Sequence, residues 1–301
     1  MSLGYIIKRN IKMFFKDKGL VLTSLITPMI LILLYVTFLK NVYVDSFHSA
    51  TVTIGIEIEE RYINGFVYGW LFSSLLAVSC VTVSFCSNML MVQDKVTGAA
   101  FDLQIAPIKN TKLAFGYYVA TVLETYSIIL LEALVGFVIL AFEGWFLSPL
   151  DVCGILFSSF LLVNFGTALS SIIGYFLTTQ GQISAVGTIV SSVYGFICGA
   201  YMPISQFGDV LQKVLGFLPG TYATSVIRYH YENSVLDKLQ SECNFPLEVV
   251  NGISKSFDVT MQFMSHGVTT WVSYLVFGLS TLLCVAIYVM MNIKKNAKKS
   301  R

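Results

Sequence analysis

Two glutamates, Glu124 and Glu132, interrupt an otherwise uncharged apolar stretch running from about residue 113 to 142. An ionisable group deep in a bilayer costs about 3 kcal/mol or more, so each is a functional-site candidate by default. The chemistry open to them is a polar pathway lining or a proton site. The competing reading is a protonated group satisfied in helix packing. Eight residues span about 80° around a helix, so the two share a broad face without stacking. Thr121 and Ser127, three residues to either side of Glu124, are placed to hydrogen-bond it, whereas Ile128 and Gly136 offer Glu132 no local partner. The rest of the chain holds little that could catalyse. His48, His230 and His266 stand at no metal-ligand spacing, and the six cysteines include no CxxC pair. A disulfide among Cys153, Cys198 and Cys243 stays open. No GxxxxGK(S/T), HExxH or GxSxG run occurs, so the chain has no P-loop of its own for ATP.

A second candidate is polar. Residues 93–112 are too hydrophilic to insert in a membrane, yet carry Val96, Phe101, Leu103 and Ile105 beside Asp94 and Asp102. Gly98 and Pro107 punctuate them. A short helix with an exposed apolar edge, ended by Pro107, would suit docking onto another protein; the plainer reading is a loop joining two helices. A third candidate is the run of small residues Gly187, Ser191, Gly195 and Gly199, matched by Gly154, Ser158, Gly166, Ser170 and Gly174. Such ladders let helices approach closely in lipid, either within one chain or at a gate or dimer seam.

The elements that must position these residues are membrane helices. Hydrophobic residues make up 55% of the 301 and charged residues only 12%, against about 25% in soluble domains. That excludes a large soluble enzyme, a disordered chain and a nucleic-acid binder. Six stretches approach the roughly 20 apolar residues a span requires: about 20–39, 66–90, 113–142, 152–177, 183–201 and 268–291. The fourth and fifth, parted by residues 178–182, form a tight hairpin. No small-residue cleavage site follows the first span, so a removable leader is not expected. Leu3, Ile6, Ile7, Ile11, Phe14 and Phe15 share one helical face opposite basic residues, so residues 1–19 hold an amphipathic helix in the headgroup layer. Residues 51–57 alternate as a short strand or hairpin would. Residues 202–267 read as an outer segment with two short helices, one around Val210–Leu215 and one from about Thr221 to Tyr231, then an irregular loop.

Charge placement orients the whole. One side carries thirteen basic residues against three acids, in the N-terminal segment, the 93–112 loop and the 292–301 tail; the other carries six against twelve. Both termini are therefore expected in the cytoplasm. Trp70, Trp145 and Trp271 fall near the outer ends of spans, where indoles prefer to lie. The fold class is an all-α integral membrane protein, one domain over residues 1–301.

This layout resembles the permease subunit of the type-2 ABC exporter family, over nearly the whole chain. The resemblance rests on the basic N-terminal helix before a span containing Pro28, and on Asp94-Lys95-Val96-Thr97-Gly98 leading to Ala106-Pro107. It rests further on Gly199-Ala200-Tyr201-Met202-Pro203, and on Leu218-Pro219-Gly220-Thr221-Tyr222 before Arg228. Asp94 stands where glutamate is common in the family. The resemblance implies a plasma-membrane exporter of an amphiphilic substrate: a drug, a peptide, a lipid or a lipid-linked molecule. This chain would bind no cofactor. ATP and Mg would bind two copies of a partner ATPase, and a second permease, the same chain or a relative, would complete the assembly with membrane lipid around it. The 93–112 loop, with Asp94, Val96, Gly98, Phe101, Asp102, Leu103, Ile105 and Pro107, would couple to the ATPase. Pro203, Pro219, Tyr222 and Arg228 would belong to an outer gate. The alternative from a different class is a proton-coupled secondary transporter using Glu124.

Overall fold

The computed structural model describes residues 2–51, 58–105, 108–263 and 266–299, and folds them almost entirely into helix. In chain order the helices are α1 (Leu3–Lys16), α2 (Lys18–Leu34), which continues through a π-helical turn (Tyr35–Leu39) into α3 (Lys40–Thr51), α4 (Glu60–Val96), α5 (Ala99–Ile105), α6 (Asn110–Glu143), α7 (Pro149–Phe176) and α8 (Gln180–Ile197). After a 3-10 turn (Ile204–Gln206) come α9 (Asp209–Leu215), α10 (Pro219–Ser241), α11 (Leu247–Ser256), a two-residue antiparallel ladder of β1 (Gln262–Phe263) with β2 (His266–Gly267), and α12 (Thr270–Lys299).

A helix without a polar face has to be surrounded, and α4 is that helix. Its most apolar stretch is 94% buried, with α2, α6, α7, α8 and α10 packed around it. Small residues set the approach distance. A Cβ on Gly166 of α7 would stand 3.1 Å from the α4 backbone at Cys80 and Val81, so the two helices meet backbone to backbone there. The small ladder of α7 is thus an intramolecular seam: Gly154 faces the His230 ring of α10, Gly166 faces α4, and Gly174 faces Met91. On the rim, α1 lays Ile6, Asn10 and Phe14 inward, and Ile6 fills the space beside Gly116 of α6.

Among the described residues, five helical stretches are long and apolar enough to cross a bilayer: Lys18–Asp45, Glu60–Val96, Asn110–Glu143, Pro149–Phe176 and Thr270–Lys294. The fifth expected span forms α8, but its 18 residues reach only about 27 Å, and Gln180 and Gln182 open it with polar side chains. Capping boxes at Ser148/Asp151 and Thr179/Gln182 start α7 and α8. Helix α8 stops in a Schellman turn, where Ala200 N–H donates to the Gly195 carbonyl at 2.9 Å and Gly199 N–H to that of Phe196 at 3.2 Å. Gly199 adopts φ +73° there, a region glycine enters without steric cost.

The segment after α9 departs from the sequence expectation. The second short helix does not end near Tyr231; α10 runs on to Ser241, and residues expected as irregular loop form α11 and the small ladder. Helix α10 is enclosed by α4, α7, α11 and α12, so its buried side chains lie all round it and no one-face periodicity marks it in sequence. Of the strand expected over residues 51–57, Thr51 closes α3 and the remainder lies outside the described residues. Large apolar side chains on α6 and α12, such as Leu131, Phe142, Leu275 and Leu282, stay exposed. Exposed apolar surface on this scale is a lipid-facing surface, and the protein is a multi-pass membrane protein.

Candidate functional site

The expected coupling segment is built at the end of the bundle that carries α1. Asp94, in the last turn of α4, is 3% exposed. It accepts both guanidinium nitrogens of Arg9, at 2.6 and 3.1 Å, and the hydroxyl of Tyr117 from α6. A fork of this kind fixes orientation as well as distance, and the carboxylate holds Arg9 above its ordinary range. The adjacent Lys95 donates to the carbonyls of Gly174 and Tyr175, at 2.6 and 3.2 Å, a cation at the negative end of α7. Gly98 then turns the chain with φ +85°, and α5 follows. Ala100 is buried and Leu103 packs against the cluster of Ile6, Met91, Val92 and Tyr117. Val96 and Phe101 stay exposed, Phe101 by 67%, and Asp102 is exposed beside them. The short helix with an apolar edge is therefore present. The Ile105 side chain and Pro107 lie outside the described residues.

Glu124 and Glu132 are buried in α6, 1% and 5% exposed. The local partners expected for Glu124 turn elsewhere. Ser127 donates to the Leu123 carbonyl of its own helix at 2.7 Å, and Thr121 reaches Asn88 of α4 at 3.5 Å. A hydroxyl in a helix finds the preceding turn's carbonyl more readily than a neighbouring side chain. Among the described residues, one oxygen of Glu124 and both of Glu132 have no partner at hydrogen-bond geometry, Ser79 of α4 being the polar group beside Glu132.

A separate cleft of about 570 Å³ opens between α2 and α8. Thr23 and Thr27 line it from α2, Gln93 from α4, and Ser184, Thr188 and Ser191 from α8. It is hydroxyl-rich, uncharged apart from Asp17 at its edge, and of the size of small-molecule sites. Neither glutamate lines it. The α8 ladder is distributed among different tasks: Gly187 abuts Met89, Ser191 faces the cleft, Gly195 lies under the Tyr201 ring, and Gly199 makes the cap.

At the opposite end of the bundle Arg228 is 1% exposed. It donates to the carbonyls of Phe257 (3.1 Å), Asp258 (3.4 Å) and Gly199 (2.9 Å) and to the Ser74 hydroxyl (3.0 Å). Its guanidinium lies 4.6 Å from the centre of the Trp70 ring, whose N–H donates to the Phe257 carbonyl at 2.8 Å. One side chain thereby ties α4, the turn after α8, α10 and the 257–258 turn. Asp258, at φ +51°, accepts from the backbone N–H groups of Ile204 and Ser205. Burial raises its carboxyl above the ordinary range, against the opposing pull of Arg228. Pro203 immediately precedes the 3-10 turn, Pro219 occupies the first turn of α10, and Tyr222 is buried in the core. Glu232, one turn after Arg228, is fully buried against Gly69, with neither oxygen partnered among the described residues. Arg9, Tyr117, Trp70 and Asp258 escape sequence reasoning, because their partners stand 23 to 187 residues away.

The family model described as ABC-2 type transporter matches residues 1–231. No curated protein and no solved structure matches the chain.

Proposed function

This chain belongs to the ABC-2 type transporter family, and on that premise we propose that it is the permease of an ATP-driven exporter that moves an amphiphilic substrate outward. The observation that carries the proposal is α5: an amphipathic helix with Phe101 exposed, joined through Thr97 and Gly98 to a helix end that Arg9 and Tyr117 hold rigidly. A cytoplasmic ATPase that seats on Phe101 and Val96 would move α4 and α1 together. ATP-driven closure of two such subunits then shifts the population between two permease conformations, provided the closed ATPase favours one of them. The α2–α8 cleft supplies a hydroxyl-lined face for the substrate, and a second permease covers its open side. In this reading α8 is the fifth of six spans, completed by its neighbours, and both termini are cytoplasmic in the plasma membrane, as the basic α1 and tail favour. The outer segment around Pro203, Pro219, Tyr222 and Arg228 closes the exit.

The proton-driven reading places coupling at Glu124, which is buried in α6 and does not line the cleft. A detergent pull-down of tagged protein beside its Phe101→Asp variant separates the two. An ATPase retained by the wild type and lost from the variant, with both eluting as the same species, is the expected result. No ATPase with either, even after crosslinking, would overturn the proposal.

A further inference from the structure

Helices α1 and α12 both pack against α6, and beside the first turns of α6 a groove of about 320 Å³ lies between the three. Its walls run from Thr111 to Tyr118 on α6 and from Val285 to Asn292 on α12, with Leu3 of α1 completing them. Seven residues of helix rise about 10 Å, about two thirds of the hydrocarbon depth of one leaflet. The polar atoms of the walls are engaged within the protein. Tyr118 donates to the Asn164 carbonyl and Tyr288 to the Ala114 carbonyl, both at 3.2 Å, and the Asn292 amide donates to the Tyr288 carbonyl at 2.9 Å. Hydrocarbon from Phe115, Val285, Val289 and the two tyrosine rings is left to line the groove. Phe115 and Val289 are also exposed, so the groove opens on the lipid-facing surface.

Charge is confined to one end. Lys112, in the first turn of α6, is the charged residue of the lining; it is exposed and in no ion pair among the described residues. Residues 108–112, which lead into α6, and 292–299, which end α12, carry six bases and no acid. We propose that the groove binds an anionic phospholipid, with one acyl chain lying between α6 and α12 and the phosphate held at Lys112. A chain in this groove meets three helices at once, and its dispersion contacts add up accordingly. Basic clusters at the ends of membrane helices favour anionic headgroups over zwitterionic ones. The groove shares no lining residue with the α2–α8 cleft, so this lipid is held apart from the proposed transport path. It joins α12 to α1, whose Arg9 anchors the end of α4. Its place in the cytoplasmic leaflet rests on the proposed topology, whereas binding itself does not.

Two reporters test this in the full chain carrying Trp145→Phe and Trp271→Phe. Phe115→Trp reads the groove, and Leu282→Trp, on the exposed face of α12, reads ordinary boundary lipid. Trp70, buried in the core, is kept and its emission subtracted. Each protein is reconstituted in phosphatidylcholine vesicles with a rising share of brominated phosphatidylglycerol, whose bromines quench nearby tryptophan. The groove reporter should reach half-quenching at a share about fivefold lower than the Leu282 reporter, and adding Lys112→Gln should bring the two curves together. Equal curves in the starting proteins, or a difference that survives Lys112→Gln, overturn the proposal. A groove reporter that brominated lipid of neither headgroup quenches, while the Leu282 reporter responds, shows the groove covered by protein and overturns it too. No ATPase enters these readings, so failure here leaves the permease proposal standing, and the reverse also holds.

Discussion

Glu232 shows how one residue can hold a cost that nothing repays nearby. Its carboxyl is enclosed by Gly69 and α10 itself, without a hydrogen-bond partner among the described residues. Burial pushes it well above the usual carboxylate range, Arg228 pulling weakly the other way. A raised folded-state value means that the folded chain holds this proton more tightly than the unfolded chain, whose glutamate titrates near about 4.3. The stabilising contribution is therefore complete below that value and is lost as pH rises through the folded one. Glu232→Gln removes the ionisation at nearly constant shape. Thermal unfolding in detergent should show the variant more stable than wild type at pH 8, with the difference shrinking toward pH 5. A constant difference across that range would mean that Glu232 is already ionised in the folded protein.

Among elements, the junction of α4 with α5 is the most constrained. Asp94 and Lys95 anchor the end of α4, and Gly98 redirects the chain at φ +85°. Space is not the constraint at Gly98, since no described residue lies within 4 Å of an added Cβ; backbone conformation is. A β-branched side chain in the left-handed region costs about 1–2 kcal/mol, whereas asparagine tolerates it. Gly98→Val should therefore swing α5 and reduce recovery of the ATPase in a pull-down, while Gly98→Asn retains it. Equal recovery with both would show that the turn's handedness is irrelevant to docking. The sequence marks this element through Gly98 and the apolar edge, but not its anchor, because Arg9 reads there as one more base in a basic helix.

At the scale of the whole molecule, the even count of spans and the placement of both termini depend on α8 crossing the bilayer. In a background with Cys153 and Cys243 replaced by serine, a cysteine at Lys12 and one at Glu248 report the two ends; both positions are exposed. A membrane-impermeant maleimide added to intact cells should label the Glu248→Cys protein at once, and the Lys12→Cys protein only after permeabilisation. Labelling of both from outside would require an even number of crossings between the two positions, so that α8 does not cross. The enclosure of α4 adds a constraint of its own: with that helix 94% buried over its most apolar stretch, the proposed transport path runs along its neighbours, and α2 and α8 present the hydroxyl-lined face.

Membrane class, the positions of the long helices, the amphipathic α1 and the charge asymmetry are legible from the residues alone, because each is a sum over neighbours along the chain. Hydropathy over twenty residues and lysine counts per loop do not depend on what a segment touches. The packing of the sites does. Arg9 meets Asp94 across 85 positions, and Arg228 meets Ser74 across 154. Which faces meet can be read in advance only where a helix has one polar side. Helices α4 and α10 are surrounded on all sides, so their sequences name no face. The length of α10 and the turning of Thr121 and Ser127 away from Glu124 both follow from neighbours that folding supplies.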